Sequence, residues 1–98
     1  MLTLGPLVID LRAHSVTRAG VDVGLTATEF KVLLELAAHP GQVLSRDQLL
    51  ERVWGYSYFG DGRLVDVHVR RLRAKIEDDP SRPTLIETVR SVGYRASP

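Results

Sequence analysis

Arg70–Lys75 (RRLRAK) places four cations in six positions. Guanidinium groups make charge-assisted, bidentate hydrogen bonds to phosphates and to the guanine edge, so such a run suits a polyanion. The chain as a whole carries a formal net charge of only +1. Residues 1–60 hold five basic and six acidic side chains, whereas residues 61–98 hold eight and six. A local basic stripe on a nearly neutral chain reads as a docking surface, with a solvated helix face as the alternative. Catalytic chemistry is poorly served. The absence of cysteine excludes disulfides, thiolate metal sites and cysteine nucleophiles. His14, His39 and His68 fall on a strand connection, a helix end and a helix flank, without metal-ligand spacing. Ser45 and Ser91 lack plausible His and Asp partners, and there is no glycine-rich phosphate loop. Asp78-Asp79 is explained as a turn before Pro80. No enzymatic activity, metal or cofactor is expected.

The basic run belongs to a helix predicted from about Arg63 to Asp78, with Asp61 as its cap. At about 100° per residue, Val65, Val69, Leu72 and Ile76 share one stripe and face the core. Opposite them lie Arg63, Val67, Arg70, Arg71 and Ala74, with Leu64 at the margin. Slim residues between long cations allow a helix to enter the major groove while its arginines reach phosphates or base edges. Asp66, four residues before Arg70 and on the side of Arg73, is expected to hold an arginine by an ion pair. His68, close to the core stripe, is either structural or a phosphate contact.

Around that helix the chain reads as a small sheet, two further helices and a hairpin. LVIDL (Leu7–Leu11), SVTR (Ser15–Arg18) and VDVGL (Val21–Leu25) are short strands, with a tight turn at Ala19-Gly20. Thr26–Glu29 fits a capping box before a helix whose inner face is Phe30, Leu33, Leu34, Ala37 and Ala38. His39-Pro40-Gly41 ends it, and Val43 and Leu44 form a brief connector. Ser45 caps a second helix, RDQLLERVW, with Leu49, Leu50 and Val53 inward. Trp54 at its end is compatible with a packed ring and an outward indole N–H. Residues 55–62 (GYSYFGDG) read as a loop in which Tyr56, Tyr58 and Phe59 either contact a protein or pack over helix ends. Asp78-Asp79-Pro80 and Pro83 stop the third helix, and Leu85–Val89 with Gly93–Ala96 read as a hairpin. The expected class is α+β: a winged helix-turn-helix with a small N-terminal antiparallel sheet, three helices and a C-terminal β-hairpin wing.

With 98 residues, 44% hydrophobic and 26% charged, the chain is expected to be one domain, residues 1–98. Burial of roughly 65% of the unfolded surface is expected at this size. It is too short to carry a sensor or catalytic domain alongside. No apolar run reaches the ~20 residues of a membrane span, and MLTLGPLVID lacks the features of a signal peptide, so a cytoplasmic location is expected.

Three linked segments then identify a resemblance. LTATEFKVLLELAAHPGQVLSRDQLLERVWG, RLVDVHVRRLRAKIE and TVRSVGYR resemble the OmpR/PhoB-type effector domain of bacterial two-component response regulators, from about Leu4 to Arg95. The resemblance implies a four-stranded N-terminal sheet, a third helix in the major groove and a wing arginine in the minor groove. It implies that Arg71 and Val67 face base edges, and that Arg63, Arg70, Arg73 and the Trp54 indole contact phosphates. Thr88, Arg90 and Tyr94 fall to the wing contacts, and the loop from Gly55 to Asp61 to a contact with RNA polymerase. It further implies double-stranded DNA with direct-repeat half-sites, a head-to-tail dimer on that DNA, and a receiver domain and sensor kinase outside this chain. Two positions depart from the family pattern. Leu64 replaces a small polar residue and favours an apolar contact such as a thymine methyl. Ser91 stands where glycine is frequent, which costs strain if the turn needs positive φ. The competing expectation is a winged-helix module that binds an acidic protein through the basic helix.

Overall fold

Residues 1–55 and 61–98 are described by a computed structural model. Inward and outward side chains alternate through β1 (Leu2–Leu4), β2 (Leu7–Asp10) and β3 (Ser15–Arg18), and β4 (Val21–Asp22) completes an antiparallel sheet in the order β1-β2-β3-β4. Leu2 faces Ile9 and Ile9 faces Val16 across the ladder, so one face is apolar. Leu4, Leu7, Ile9 and Val16 are buried on it, while Val8 points to solvent. A sheet this small needs a second layer. The periodicity of the residues marked three of these strands. The first strand, implied by the resemblance, is also present.

The helices supply the second layer. α1 (Ala27–Ala37) starts with the expected capping box: Glu29 N–H donates to Thr26 Oγ1 at 3.2 Å, and Thr26 N–H donates to Glu29 Oε1 at 2.9 Å. Its buried face is wider than the predicted stripe. Val32 and Leu36 are buried with Phe30, Leu33 and Ala37, whereas Leu34 is half-buried and Ala38 exposed. The reason is that α1 packs against β1, β7 and the other two helices, which widens its apolar arc. Ser45 caps α2 (Arg46–Leu49) through a second capping box with Gln48. The helix continues through Leu50–Trp54 in a π-helical turn, closed by Gly55 N–H donating to Leu50 C=O at 3.2 Å.

α3 (Arg63–Ile76) buries Val65, Val69, Leu72 and Ile76 as predicted. It is shorter than expected because Glu77 turns extended, and its carboxylate accepts the N–H groups of Thr84, Leu85 and Ile86. Gly62 occupies the cap position; Asp61, one residue earlier, accepts the Arg63 N–H at 3.0 Å. Arg18 Nη1 donates to the terminal Ile76 carbonyl at 2.7 Å, tying the helix end to β3.

The hairpin forms from β6 (Ile86–Val89) and β7 (Gly93–Ala96), but not as an isolated pair. The segment expected as a connector is a strand, β5 (Leu44–Ser45), giving a three-stranded sheet in the order β5-β7-β6. Leu44 pairs with Tyr94 and Ser45 with Gly93, which satisfies the outer edge of β7. Gly93 is required there, since a Cβ would lie 2.0 Å from the Leu44 carbonyl oxygen. Leu7, Ile9, Leu33, Leu36, Leu44, Leu49, Leu72, Ile76 and Ile86 are fully buried in one core drawn from both sheets and all three helices. Among the described residues, no helix is long and apolar enough to cross a membrane.

Candidate nucleic-acid interface

The helical period that buries four residues of α3 necessarily turns Arg63, Val67, Arg70, Arg71 and Ala74 outward, and all five are exposed. Val67 is 41% exposed, an apolar group held in water between cations. Among the described residues, Arg70 and Arg71 make no side-chain hydrogen bond or ion pair, so their guanidinium donors remain available. Arg63 Nε lies 3.3 Å from Asp61 Oδ2, both side chains being largely exposed. Such a surface pair contributes little and is readily exchanged for a stronger anion. Leu64 is half-buried and packs against the core, leaving only part of its side chain for an outside contact.

The flank toward the Leu50–Trp54 turn is aromatic. The Trp54 and His68 rings meet edge to face, with centroids 5.1 Å apart and planes at 74°. Both are half-buried, and His68 Nδ1 lies 2.9 Å from the Leu64 carbonyl oxygen, which can only accept. The contact requires the proton on Nδ1 and directs Nε2 away from that carbonyl.

The opposite flank joins α3 to the wing. Asp66 does hold an arginine, but the partner is Arg46 of α2, with Arg46 Nε donating to Asp66 Oδ1 at 2.8 Å, and not Arg70 or Arg73. Helical spacing on α3 could not reveal a partner on another helix. Gly62 lets Arg46 cross the start of α3, since a Cβ there would lie 2.9 Å from Arg46 Cδ. The Tyr94 hydroxyl donates to the same Asp66 oxygen. Burial alone would raise the Asp66 pKa, but the Tyr94 and Arg46 hydrogen bonds and the Arg46 charge outweigh it and hold the carboxylate below its ordinary value. Tyr94 is raised, mainly by burial and then by Asp66. Tyr94 thus differs from an exposed wing contact: it is 5% exposed, with its ring beneath the arginines of α2 and α3.

At the wing itself Thr88 and Arg90 are exposed, and the turn closes through Val92 N–H donating to Val89 C=O at 3.0 Å. Ser91 adopts φ +65°, the left-handed conformation that its departure from glycine brought into question. Arg90 and Val92 flank it at the tip, both in solvent. Tyr56, Tyr58 and Phe59 lie outside the described residues. The arrangement presents one cationic helix face and one arginine-tipped hairpin, with no assembled group of three potential metal ligands among the described residues.

Similarity to known proteins covers nearly the whole chain. The family described as "Transcriptional regulatory protein, C terminal" matches residues 20–96. The transcriptional regulatory protein AfsQ1 of Streptomyces coelicolor is 60% identical over 96 residues, covering 98% of this chain and 43% of AfsQ1. The DNA-binding response regulator MtrA of Mycobacterium tuberculosis is 55% identical over 98 residues, covering 100% of this chain and 43% of MtrA. This chain therefore spans about two-fifths of the length of these relatives. The Klebsiella pneumoniae RstA DNA-binding domain, solved in complex with the RstA box, superposes with a TM-score of 0.88 at 41% identity, covering 98% of this chain and 95% of that one. The Thermotoga maritima response regulator DrrB, an OmpR/PhoB homologue, gives 0.90 at 38% identity, covering 98% and 43%.

Proposed function

This chain belongs to the family of transcriptional regulatory protein C-terminal domains of the OmpR/PhoB type, and from that membership we infer that it binds double-stranded DNA sequence-specifically as the effector domain of a response regulator. The observation that carries the reading is the exposed Arg63–Val67–Arg70–Arg71–Ala74 face, cationic at its sides and slim at its centre. α3 lies in the major groove with Arg71 and Val67 toward base edges, while Arg63 and Arg70 neutralise phosphates. The exposed edge of Leu64 meets an apolar base group. Trp54 and His68 approach the backbone along the flank they share, and Arg90 enters the adjacent minor groove from the wing, where thymine and adenine acceptors favour a cation. The receiver domain and its kinase belong to a longer protein of which residues 1–98 are the effector domain, and two such domains sit head to tail on direct repeats.

Selection from a random duplex pool, followed by salt titration of the winners, tests the reading. A short enriched motif, repeated about one helical turn apart, is the expected result. Salt-sensitive binding without enrichment would leave only a nonspecific basic helix.

A further inference from the structure

Arg73 leaves α3 on the wing flank, not at the centre of the exposed face, and its donors are directed inward. Nε and Nη2 donate to the Ile86 carbonyl at 3.2 and 2.8 Å, and Nη2 donates to Thr88 Oγ1 at 2.8 Å. A guanidinium has five N–H groups. These bonds occupy Nε and Nη2 and leave only the pair on Nη1 for anything outside. The Arg73 Cζ atom sits 5.4 Å from the centroid of the Tyr94 ring, and the Arg46 Cζ atom 5.8 Å from the same centroid. Tyr94 and Arg46 then converge on Asp66. The start of α2, the flank of α3 and both wing strands therefore meet in one polar cluster.

We propose that Arg73 and Tyr94 are positioning residues for operator recognition: together they set the wing against α3, so that Arg90 reaches its groove while α3 occupies the neighbouring one. The assignment rests on the DNA-binding reading above. It makes Arg73 an internal strut where the resemblance alone implies a phosphate contact.

Two variants separate the roles. Arg73→Lys keeps a cation for a phosphate but lacks the planar fork that spans Ile86 and Thr88. Tyr94→Phe removes only the hydroxyl given to Asp66. Each is measured on the selected operator in the wild-type and Arg90→Ala backgrounds, with the salt slope and the thermal midpoint followed in parallel. With Arg90 present, each variant is expected to weaken operator binding about tenfold; with Arg90→Ala, less than about twofold. The salt slope stays unchanged. Without DNA, hydrogen exchange at the Val92 amide accelerates in both variants. Equal losses in both backgrounds overturn the proposal. So does Arg73→Lys that binds like wild type while Arg73→Ala lowers the salt slope by about 0.9, because that pattern belongs to a phosphate contact. If the wild-type chain selects no duplex, the DNA reading fails, and the exchange measurement still decides the strut: faster exchange retains it, unchanged exchange removes it.

Discussion

Arginines one or two positions apart on α3 have different surroundings, and those surroundings divide their work. Arg71 is exposed with its donors unused among the described residues, whereas Arg73 is half-buried and bonded to β6. Arg71→Ala is expected to cost about 1–3 kcal/mol on the matched operator and much less on a scrambled duplex, read by fluorescence anisotropy on the two. Arg70→Ala is expected to weaken both duplexes alike and to lower the salt slope by about 0.9, the signature of one phosphate. Equal behaviour of the two variants on both duplexes would remove the division between base reading and backbone contact. The exposed arginines were legible in the sequence because 3.6-residue periodicity sorts α3 into a buried stripe and an outer face. The partners of Asp66 were not. Arg46 and Tyr94 approach from other elements, and side-chain geometry across elements leaves no periodic trace.

Local rules and distant contacts together fix the structural elements, and the local rules are the readable part. The capping boxes at Thr26 and Ser45 follow from residue types three apart, although only the first was predicted in full. The strand at Leu44–Ser45 is too short to show alternation, and it exists because β7 needs a partner on that edge. The π-helical turn at Leu50–Trp54 likewise leaves the apolar spacing of α2 almost unchanged, so periodicity registers it as an ordinary helix. Gly93 is the clearest case of a distant contact setting a residue type. Gly93→Ala forces a methyl into the Leu44 backbone, which has no rotamer to escape through, and is expected to destabilise by about 3 kcal/mol or more. Chemical denaturation measures that loss; a variant within about 0.5 kcal/mol of wild type would show that β5 and β7 separate at little cost.

At the scale of the whole molecule, a half-buried ion pair ties the far end of α3 to the N-terminal half. Lys75 Nζ donates to Glu29 Oε1 at 2.6 Å and to the Gly24 carbonyl at 3.1 Å. Burial pushes the Glu29 pKa up, but the Lys75 hydrogen bond, the Thr26 contacts and the Lys75 charge together bring it below the ordinary carboxylate value. Asp66 is lowered as well. A carboxyl with a depressed folded-state pKa contributes stability that is fully present above its unfolded pKa and is lost as pH falls through the folded one. Stability is therefore expected to hold near neutrality and to decline below about pH 4. Lys75→Met removes the cation that favours charged Glu29, so the acid limb moves to higher pH; thermal midpoints between about pH 3 and 7 measure the displacement. An unmoved limb would mean that Glu29 is held by its capping box alone. The β5–β7 pairing has a further consequence for synthesis. Leu44 and Ser45 are synthesised about fifty residues before Gly93 and Tyr94, so the edge they pair with is made long after them. α3 is complete in the chain before either wing strand is made. A chain at that stage has α3 without the hairpin beside it, and β5 stays unpaired until β7 docks on it.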